Sequence, residues 1–483
     1  MQNQNPKLLT IAEFARALHI PLVLAYKIVS WGLIKGVEVI DGTIHITESG
    51  LEETREILKR PRQKLKLYWR SLGPGLITGA SDDDPSGIAT YSSVGAKFGY
   101  GLLWMSAWLL PMMMAIQEAC ARIGIVTNQG LTGVLLKYYK KYVVVLIVLL
   151  LVIANVANIG ADIGAVAASV KMLTNVNFIL VAVVFTILVI LLEIFVPYEK
   201  YVHFLKWLSL ILIVYVIAAF IIHPDWLNVV KHMFIPKIIL NKDYLFAMIA
   251  FFGTTITPYL FFWQTSQEVE EGKLENCDQK ELMQPKKIKR RIFGMRSDVK
   301  SGMVFSNLVT LFIAISAAEV LFKNGITNID TAEQAAQALQ PLAGNYAYLL
   351  FSFGIIGMGL MAVPILAGAC AYALSEIIGF KQGLGNKFSQ AKAFYLIIVL
   401  AIIVGLFLNF VGIHPIKALY YAAWLNGVIA LPLMIVIMLV GNNKKVMGQD
   451  THPAWVKFFG WFAICGMTIA VFLTILLSAN ILK

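Results

Sequence analysis

Roughly eleven stretches of this chain are apolar over a length that crosses about 30 Å of hydrocarbon as a helix. In lipid the backbone has no water to bond, so every N–H and C=O must find a partner inside the protein, and helices are the simplest way to do so. The stretches run approximately from Leu72 to Tyr100, Leu103 to Val126, Tyr142 to Leu173, Phe178 to Val196, Val202 to Ile222, Tyr244 to Thr265, Val299 to Phe322, Tyr346 to Ile378, Ala393 to Val411, Ala418 to Val440 and Val456 to Leu477. Hydrophobic residues make up 58% of the 483 and charged ones 14%, with a mean hydropathy of +0.73, which excludes an ordinary soluble domain. The expected class is an all-α polytopic membrane protein.

The net charge of +12 does not point to nucleic acid, because the basic residues concentrate between apolar stretches, as cytoplasmic loops require. Lys59 through Arg70, Lys137 with Lys140 and Lys141, Lys286 through Arg291, Lys381 with Lys387 and Lys392, and Lys444 with Lys445 all fall on one side. An odd number of spans then puts the N-terminus in the cytoplasm and the C-terminus outside. The loop from His223 to Asp243 carries lysines and would be external, the one exception. Cys120, Cys277, Cys370 and Cys465 lack metal-ligand spacing and imply neither a disulfide nor zinc. The first apolar stretches are short and interrupted by charge, so no cleavable signal peptide is expected. Met112, Met113 and Met114 are consecutive, cannot share one helix face, and read as packing.

Asp82-Asp83-Asp84-Pro85-Ser86-Gly87 interrupts the first stretch. A charge near mid-bilayer costs roughly 2.5 to 3.5 kcal/mol on insertion scales, so intramembrane acids face protein or water and mark a transport or relay path. Pro85 lacks an N–H and Gly87 is conformationally permissive. Together they should break the helix and free carbonyls to serve beside the acids as cation ligands. The sixth stretch has a comparable interruption, Gly253-Thr254-Thr255-Ile256-Thr257-Pro258-Tyr259, whose hydroxyls and freed carbonyls suit a hard cation. Pro258 could alternatively only kink a helix whose hydroxyls back-bond. Two breaks five spans apart fit inverted repeats, in which paired interrupted segments point to a transporter's substrate site.

At these residues the chain resembles the NRAMP family of divalent-metal transporters. Leu72-Gly73-Pro74-Gly75, then Asp84-Pro85-Ser86-Gly87-Ile88-Ala89-Thr90 and Gly99-Tyr100-Gly101-Leu102-Leu103-Trp104, are similar to its first helix and the start of its second. The resemblance extends through Ser375-Glu376-Ile377-Ile378-Gly379-Phe380 and covers most of the chain after about Lys64. It implies a leucine-transporter-type inverted repeat of five plus five helices with an eleventh helix, the metal lying between the broken first and sixth helices. The family's ligand Asp falls on Asp84 and its Asn on Gly87, while its Met falls on Thr257, its carbonyl donor on Thr254 and its His on Tyr259.

These departures carry chemical consequences. A thioether favours softer transition metals, whereas hydroxyl, carboxylate, carbonyl and water suit Mg²⁺, Ca²⁺ or Mn²⁺. Replacing Asn by Gly deletes a ligand and is expected to open volume, and Mg²⁺ commonly keeps several waters while using one or two carboxylates. Asp82 and Asp83 are extra acids relative to the family pattern. The combination is similar to the NRAMP-related magnesium transporters, and implies Mg²⁺, with Mn²⁺ also accepted, as transported substrate rather than cofactor. Tyr259 is a poor proton acceptor at neutral pH. Asp162 matches the family's third-helix Asp, but Ala165 stands where a Glu is expected, so weak or absent proton coupling follows. The inside-negative potential of a bacterial plasma membrane could still drive uptake.

Other polar residues carry less weight. Glu118 and Glu193 are expected at solvated cytoplasmic boundaries. Asn155, Asn158 and Asn426 either join a polar network or bond between helices. Residues 1–60 form a separate region from the transporter domain, 61–483. Thr10 can cap a helix over Ile11 to Leu18, Pro21 can begin another through Ser30, and Gly36 to Thr47 reads as a hairpin before a last helix. The region resembles an excisionase-like winged helix-turn-helix. Its second helix is mainly apolar with one lysine, which disfavours nucleic acid and favours packing on the transporter or a cytosolic regulatory partner.

Three other readings are weighed. A conventional proton-coupled Mn²⁺/Fe²⁺ carrier remains open, as does a membrane receptor that signals through the N-terminal region. An amino-acid carrier on this fold is disfavoured, since a substrate carboxylate would avoid the acid run. No phosphate loop, nucleophile elbow or haem ligand pair is present, so the chain does not read as an enzyme.

Overall fold

The computed structural model describes residues 8–18, 36–40, 43–59, 74–196, 209–274 and 283–478, with Ala25 and Val29 besides. The expected helix from Pro21 to Ser30, the basic run from Arg60 to Arg70, the first residues of the fifth span, and Cys277 lie mainly or wholly outside them.

In the N-terminal region, β1 (Leu9–Thr10), β2 (Val37–Ile40) and β3 (Thr43–Ile46) form an antiparallel sheet in the order β1-β3-β2. Helix α1 (Ile11–Ala17) starts where Thr10 caps it. The Thr10 hydroxyl oxygen accepts the Glu13 N–H, and the Glu13 carboxylate accepts the Thr10 N–H, a capping box. Helix α2 (Glu48–Lys59) follows the hairpin. Phe14, Ala15, Ala25, Val29 and Ile46 form a small core separate from that of the membrane helices.

From Pro74 onward the described residues are mainly helical. The first span is two helices, α3 (Pro74–Asp82) and α4 (Pro85–Phe98). There follow α5 (Trp104–Thr127), the short α6 (Leu131–Tyr138), α7 (Lys141–Thr174), α8 (Phe178–Phe195), α9 (Ile213–Ile222) and α10 (Trp226–Phe234). The sixth span is again a pair, α11 (Lys242–Thr255) and α12 (Pro258–Leu274). The remainder comprises α13 (Pro285–Val320), α14 (Ala347–Ile378), α15 (Lys392–Leu408), α16 (Pro415–Asn442) and α17 (Ala454–Ser478). Among the described residues eight helical segments are long and apolar enough to cross a membrane. The pair α3/α4 and two shorter apolar helices, Leu210–Ile222 and Lys392–Leu408, take up the remaining stretches read from the sequence.

Burial separates inner from outer elements. The broken sixth span is almost entirely enclosed, whereas Phe178–Phe195 and Ala454–Leu477 turn most of their side chains outward, as a lipid-facing helix should. Helix α3 lies unusually close to α13. A Cβ at Gly79 would stand 2.3 Å from the carbonyl carbon of Gly302, and one at Gly302 would stand 2.0 Å from the Gly75 oxygen. Only glycine permits that approach.

Two expectations require correction. The hydropathy boundary put the start of the seventh span at Val299, but α13 begins at Pro285, because Lys, Arg and Met are good helix formers and Ile288, Ile292 and Met295 bury an inner face. Glu118 and Glu193 are not solvated. Glu118 is 1% exposed and pairs with Arg122 at 2.7 Å and Arg296 at 2.9 Å, and Glu193 is likewise buried. A buried carboxylate needs such partners to offset desolvation, and Arg296 comes from the charged N-terminal extension of α13.

Candidate functional site

Both helix breaks fall where proline removes a backbone donor. Helix α3 ends at Asp82, Asp83 lies in the turn, and Asp84 caps α4 with Pro85 at its first position. Helix α11 ends at Thr255, and α12 begins at Pro258 after two non-helical residues. Two helix C-termini therefore end beside one another. Their uncovered carbonyls carry partial negative charge and favour a cation.

The breaks bring together the first-span and sixth-span candidates. The Ser86 hydroxyl lies 3.4 Å from that of Thr254, and Thr257 Oγ1 donates to Asp82 Oδ1 at 2.9 Å. Thr257 also lies 3.3 Å from the Thr254 carbonyl oxygen. The Tyr259 hydroxyl donates to the carbonyl of Ser81 at 2.8 Å, satisfying one of the free carbonyls at the end of α3. All of these groups are buried.

The three acids have different surroundings. Asp82 Oδ1 accepts from Thr257, and its Oδ2 accepts from Ser306 at 3.0 Å. Asp83 Oδ1 accepts from Thr310 at 3.3 Å, while its Oδ2 is buried without a hydrogen-bond partner among the described residues. Asp84 Oδ1 accepts the Ser86 hydroxyl at 2.6 Å and the Gly87 N–H at 2.8 Å. No group of three His, Cys, Asp or Glu side chains among the described residues converges to hold a metal. Any ion held here would draw on hydroxyl, carbonyl and water oxygens with one or two carboxylates, a hard set.

Gly87 leaves less room than its missing side chain implies. A Cβ there would meet the Asp82 carbonyl oxygen at 3.2 Å, the Tyr91 ring at 3.3 Å and the Thr254 hydroxyl at 3.5 Å, so Tyr91 closes much of the space that the sequence led us to expect. The Tyr91 hydroxyl in turn lies 3.0 Å from Thr255 Oγ1.

Asp162, on α7, is fully buried with neither carboxylate oxygen partnered among the described residues, and it lies within coulombic range of Asp84. One turn earlier, Asn158 is also buried and unpartnered among them, while Asn155 donates to the Leu366 carbonyl of α14 at 3.1 Å. Asn426 is buried on α16 with both amide atoms unpartnered among the described residues. Sequence reasoning did not single out Ser306 and Thr310. Their spacing of four on the seventh span was the available signal, since it places both hydroxyls on one helix face.

On one side of the breaks, Asp298 of α13 accepts the Gly75 N–H at 2.7 Å and the Leu76 N–H at 3.2 Å, capping α3 from another helix. The Thr78 hydroxyl donates to Gln264 at 2.5 Å, and Gln264 donates to Glu268 at 2.9 Å. On the other side, Lys97 pairs with Asp243 at 2.7 Å, and Tyr100 donates to Glu319. Contacts thus close the chain on both sides of the breaks.

The family model described as "Natural resistance-associated macrophage protein-like" matches residues 75–477. The divalent metal cation transporter MntH of Klebsiella pneumoniae subsp. pneumoniae is 28% identical over 420 residues, covering 85% of this chain and 94% of that protein. The protein of the same name from Caldanaerobacter subterraneus is 26% identical over 448 residues, covering 88% and 97%. Among solved structures, the Eremococcus coleocola manganese transporter, crystallised with an aromatic bis-isothiourea substituted compound, superposes with a TM-score of 0.66 at 18% identity, covering 85% of this chain and 87% of its own. That likeness is one of fold.

Proposed function

This chain belongs to the natural resistance-associated macrophage protein-like family, and from that premise we propose that it carries divalent metal cations across a membrane by alternating access, with Mg²⁺ as the preferred cargo and Mn²⁺ also accepted. It is a carrier and not an enzyme. The observation that supports the hard-ion reading most directly is Thr257, which stands at the place of the family's Met and presents a hydroxyl between Asp82 and the Thr254 carbonyl. The ligand set is Asp84 with Asp83, the Thr254 carbonyl and Thr257, with water completing the shell. Asp82 borders this set.

Weak or absent proton coupling is part of the same reading. Tyr259 replaces the family's His, and its hydroxyl is committed to the Ser81 carbonyl, so no imidazole stands there to take up a proton. The second reading is a conventional proton-coupled manganese carrier. It draws support from Asp162, retained within coulombic range of Asp84 and unpartnered among the described residues, and from the names of the relatives above. The protein would sit in a bacterial plasma membrane with its N-terminus in the cytoplasm and its C-terminus outside. Residues 1–60 would form an excisionase-like winged domain that binds a cytosolic regulatory partner, in keeping with the capped helix and three-stranded sheet there.

Uptake by purified protein in proteoliposomes tests the reading, with Mg²⁺ and Mn²⁺ compared, Asp84→Ala as control and a lumenal dye reporting pH. Mg²⁺ flux that depends on Asp84 without acidification supports it. Flux of Mn²⁺ alone with acidification selects the second reading. Deleting residues 1–60 without changing the transport rate would remove the regulatory role.

A further inference from the structure

The three acids at the first break sit on consecutive residues, yet α13 treats each one differently. Ser306 and Thr310 lie one turn apart on that helix, 224 and 227 residues along the chain from the acids they address. Ser306 donates to Asp82 Oδ2 at 3.0 Å, while Thr257 occupies Oδ1. Asp82 therefore has both oxygens bonded to hydroxyls, one from the sixth-span break and one from α13. Its neighbour Ser81 has its carbonyl held by Tyr259, so the last turn of α3 is fastened at two successive residues. Asp83 is bonded on one side only. Thr310 takes Oδ1, and Oδ2 remains fully buried with no hydrogen-bond partner among the described residues. A buried carboxylate oxygen left without a donor is costly unless something positive reaches it.

We propose that Ser306 and Thr310 sort the acids into two roles. Asp83 is the second carboxylate ligand of the cargo ion beside Asp84, with Thr310 as the positioning residue that turns its free oxygen inward. Asp82 is a positioning residue that ties the end of α3 to the sixth-span break and to α13, and it does not ligate the ion in the closed state. The proposal deepens the carrier reading and rests on it. It also makes a specific claim about coupling. The bonds from Thr257 and Ser306 must break when α3 moves, so Asp82 governs how fast the carrier turns over rather than how tightly it binds.

Initial uptake rates against cation concentration separate these roles, measured in proteoliposomes with both Mn²⁺ and Mg²⁺. Asp83→Asn is expected to raise KM by about tenfold or more, the loss of roughly one charged ligand contact. Thr310→Val should raise KM in the same direction, and Thr310→Ser should restore it. Asp82→Asn and Ser306→Ala should change kcat while KM stays within about twofold, an effect smaller than the loss of a ligand would give. An unchanged KM in Asp83→Asn, or a tenfold rise in Asp82→Asn, overturns the assignment. For variants too slow to assay, cation-dependent thermal stabilisation in detergent gives a second readout. Stabilisation should survive Asp82→Asn and vanish in Asp83→Asn, and the reverse result overturns the proposal. If the wild type carries Mn²⁺ alone, the magnesium preference fails while the KM comparison with Mn²⁺ still decides the roles. If neither ion moves nor stabilises the wild type, both readings fall.

Discussion

Asp298 accepts the backbone N–H of Gly75 at 2.7 Å, so a side chain of the seventh span caps the opening turn of the first. The N–H groups of a first helical turn otherwise lack partners, and losing a cap costs about 1 kcal/mol. The carboxylate also seats α3 in the narrow channel that Gly79 and Gly302 create. Asp298→Ala is expected to loosen the N-terminal end of α3. A cysteine at Ala80, in a background with Cys277 and Cys465 changed to serine, should then label faster with a membrane-impermeant maleimide. Equal labelling rates with and without Asp298→Ala would sink the idea.

Glu118 joins the buried Arg122 of its own helix to the part-exposed Arg296 of α13. Breaking a fully buried pair by removing one partner costs roughly 3 to 5 kcal/mol, and the cost here is lower because water reaches Arg296 and only Arg122 stays buried and uncompensated. Glu118→Gln should therefore lower the apparent unfolding temperature in detergent by several degrees, and Glu118→Asp by less. A Glu118→Gln protein as stable as wild type would mean that water reaches Arg122 as well.

His452, in the turn between α16 and α17, is buried against Gly441, and burial pushes its imidazole down to about 3, with the nearby Arg122 charge adding to the effect. The folded state thus keeps the ring neutral where the unfolded chain, titrating near 6.5, takes up a proton. Stability that is full above about pH 6.5 should fall as the pH drops toward 3, by up to about 1.4 kcal/mol per unit. Thermal unfolding between pH 7 and pH 5 checks this. His452→Gln should flatten the slope, and an unaltered slope would assign the acid sensitivity elsewhere.

Thr257→Met would place a thioether among the oxygen donors. Softer ions gain from sulfur and alkaline earths do not, so the ratio of Mn²⁺ to Mg²⁺ uptake should rise, by about tenfold for a difference of about 1.4 kcal/mol. The lost hydroxyl bond to Asp82 should also slow turnover. Competition uptake with both ions present gives the ratio directly. A fall in that ratio would refute the assignment of Thr257 to the ion site.

Local chemistry was readable wherever a nearby residue dictates it. Pro85 and Pro258 lack a backbone donor, and both breaks sit immediately before them. Thr10 caps α1 because its partner Glu13 is three residues away. The N-terminal reach of α13 was hidden because hydropathy stops at the first charges, while the helix continues on propensity and on its buried face. Glu118 looked solvated because Arg296 lies 178 residues distant. The different roles of Asp82 and Asp83 were equally out of reach, since adjacent identical residues carry no local sign of which hydroxyls from α13 will meet them. Tyr91, which limits the space at Gly87, stands four residues after it on α4, and that spacing, which sets both on one helix face, was the available signal.

Helix α13 is a single uninterrupted rod of 36 residues, about 54 Å at 1.5 Å per residue. It meets the first span at Asp298, then at Ser306, then at Thr310. The chain length between these positions therefore works as a ruler. Inserting one alanine between Asp298 and Ser306 would turn everything beyond it by about 100°. The inner clasp and the acid-facing hydroxyls would then be out of phase, even though every residue involved would still be present.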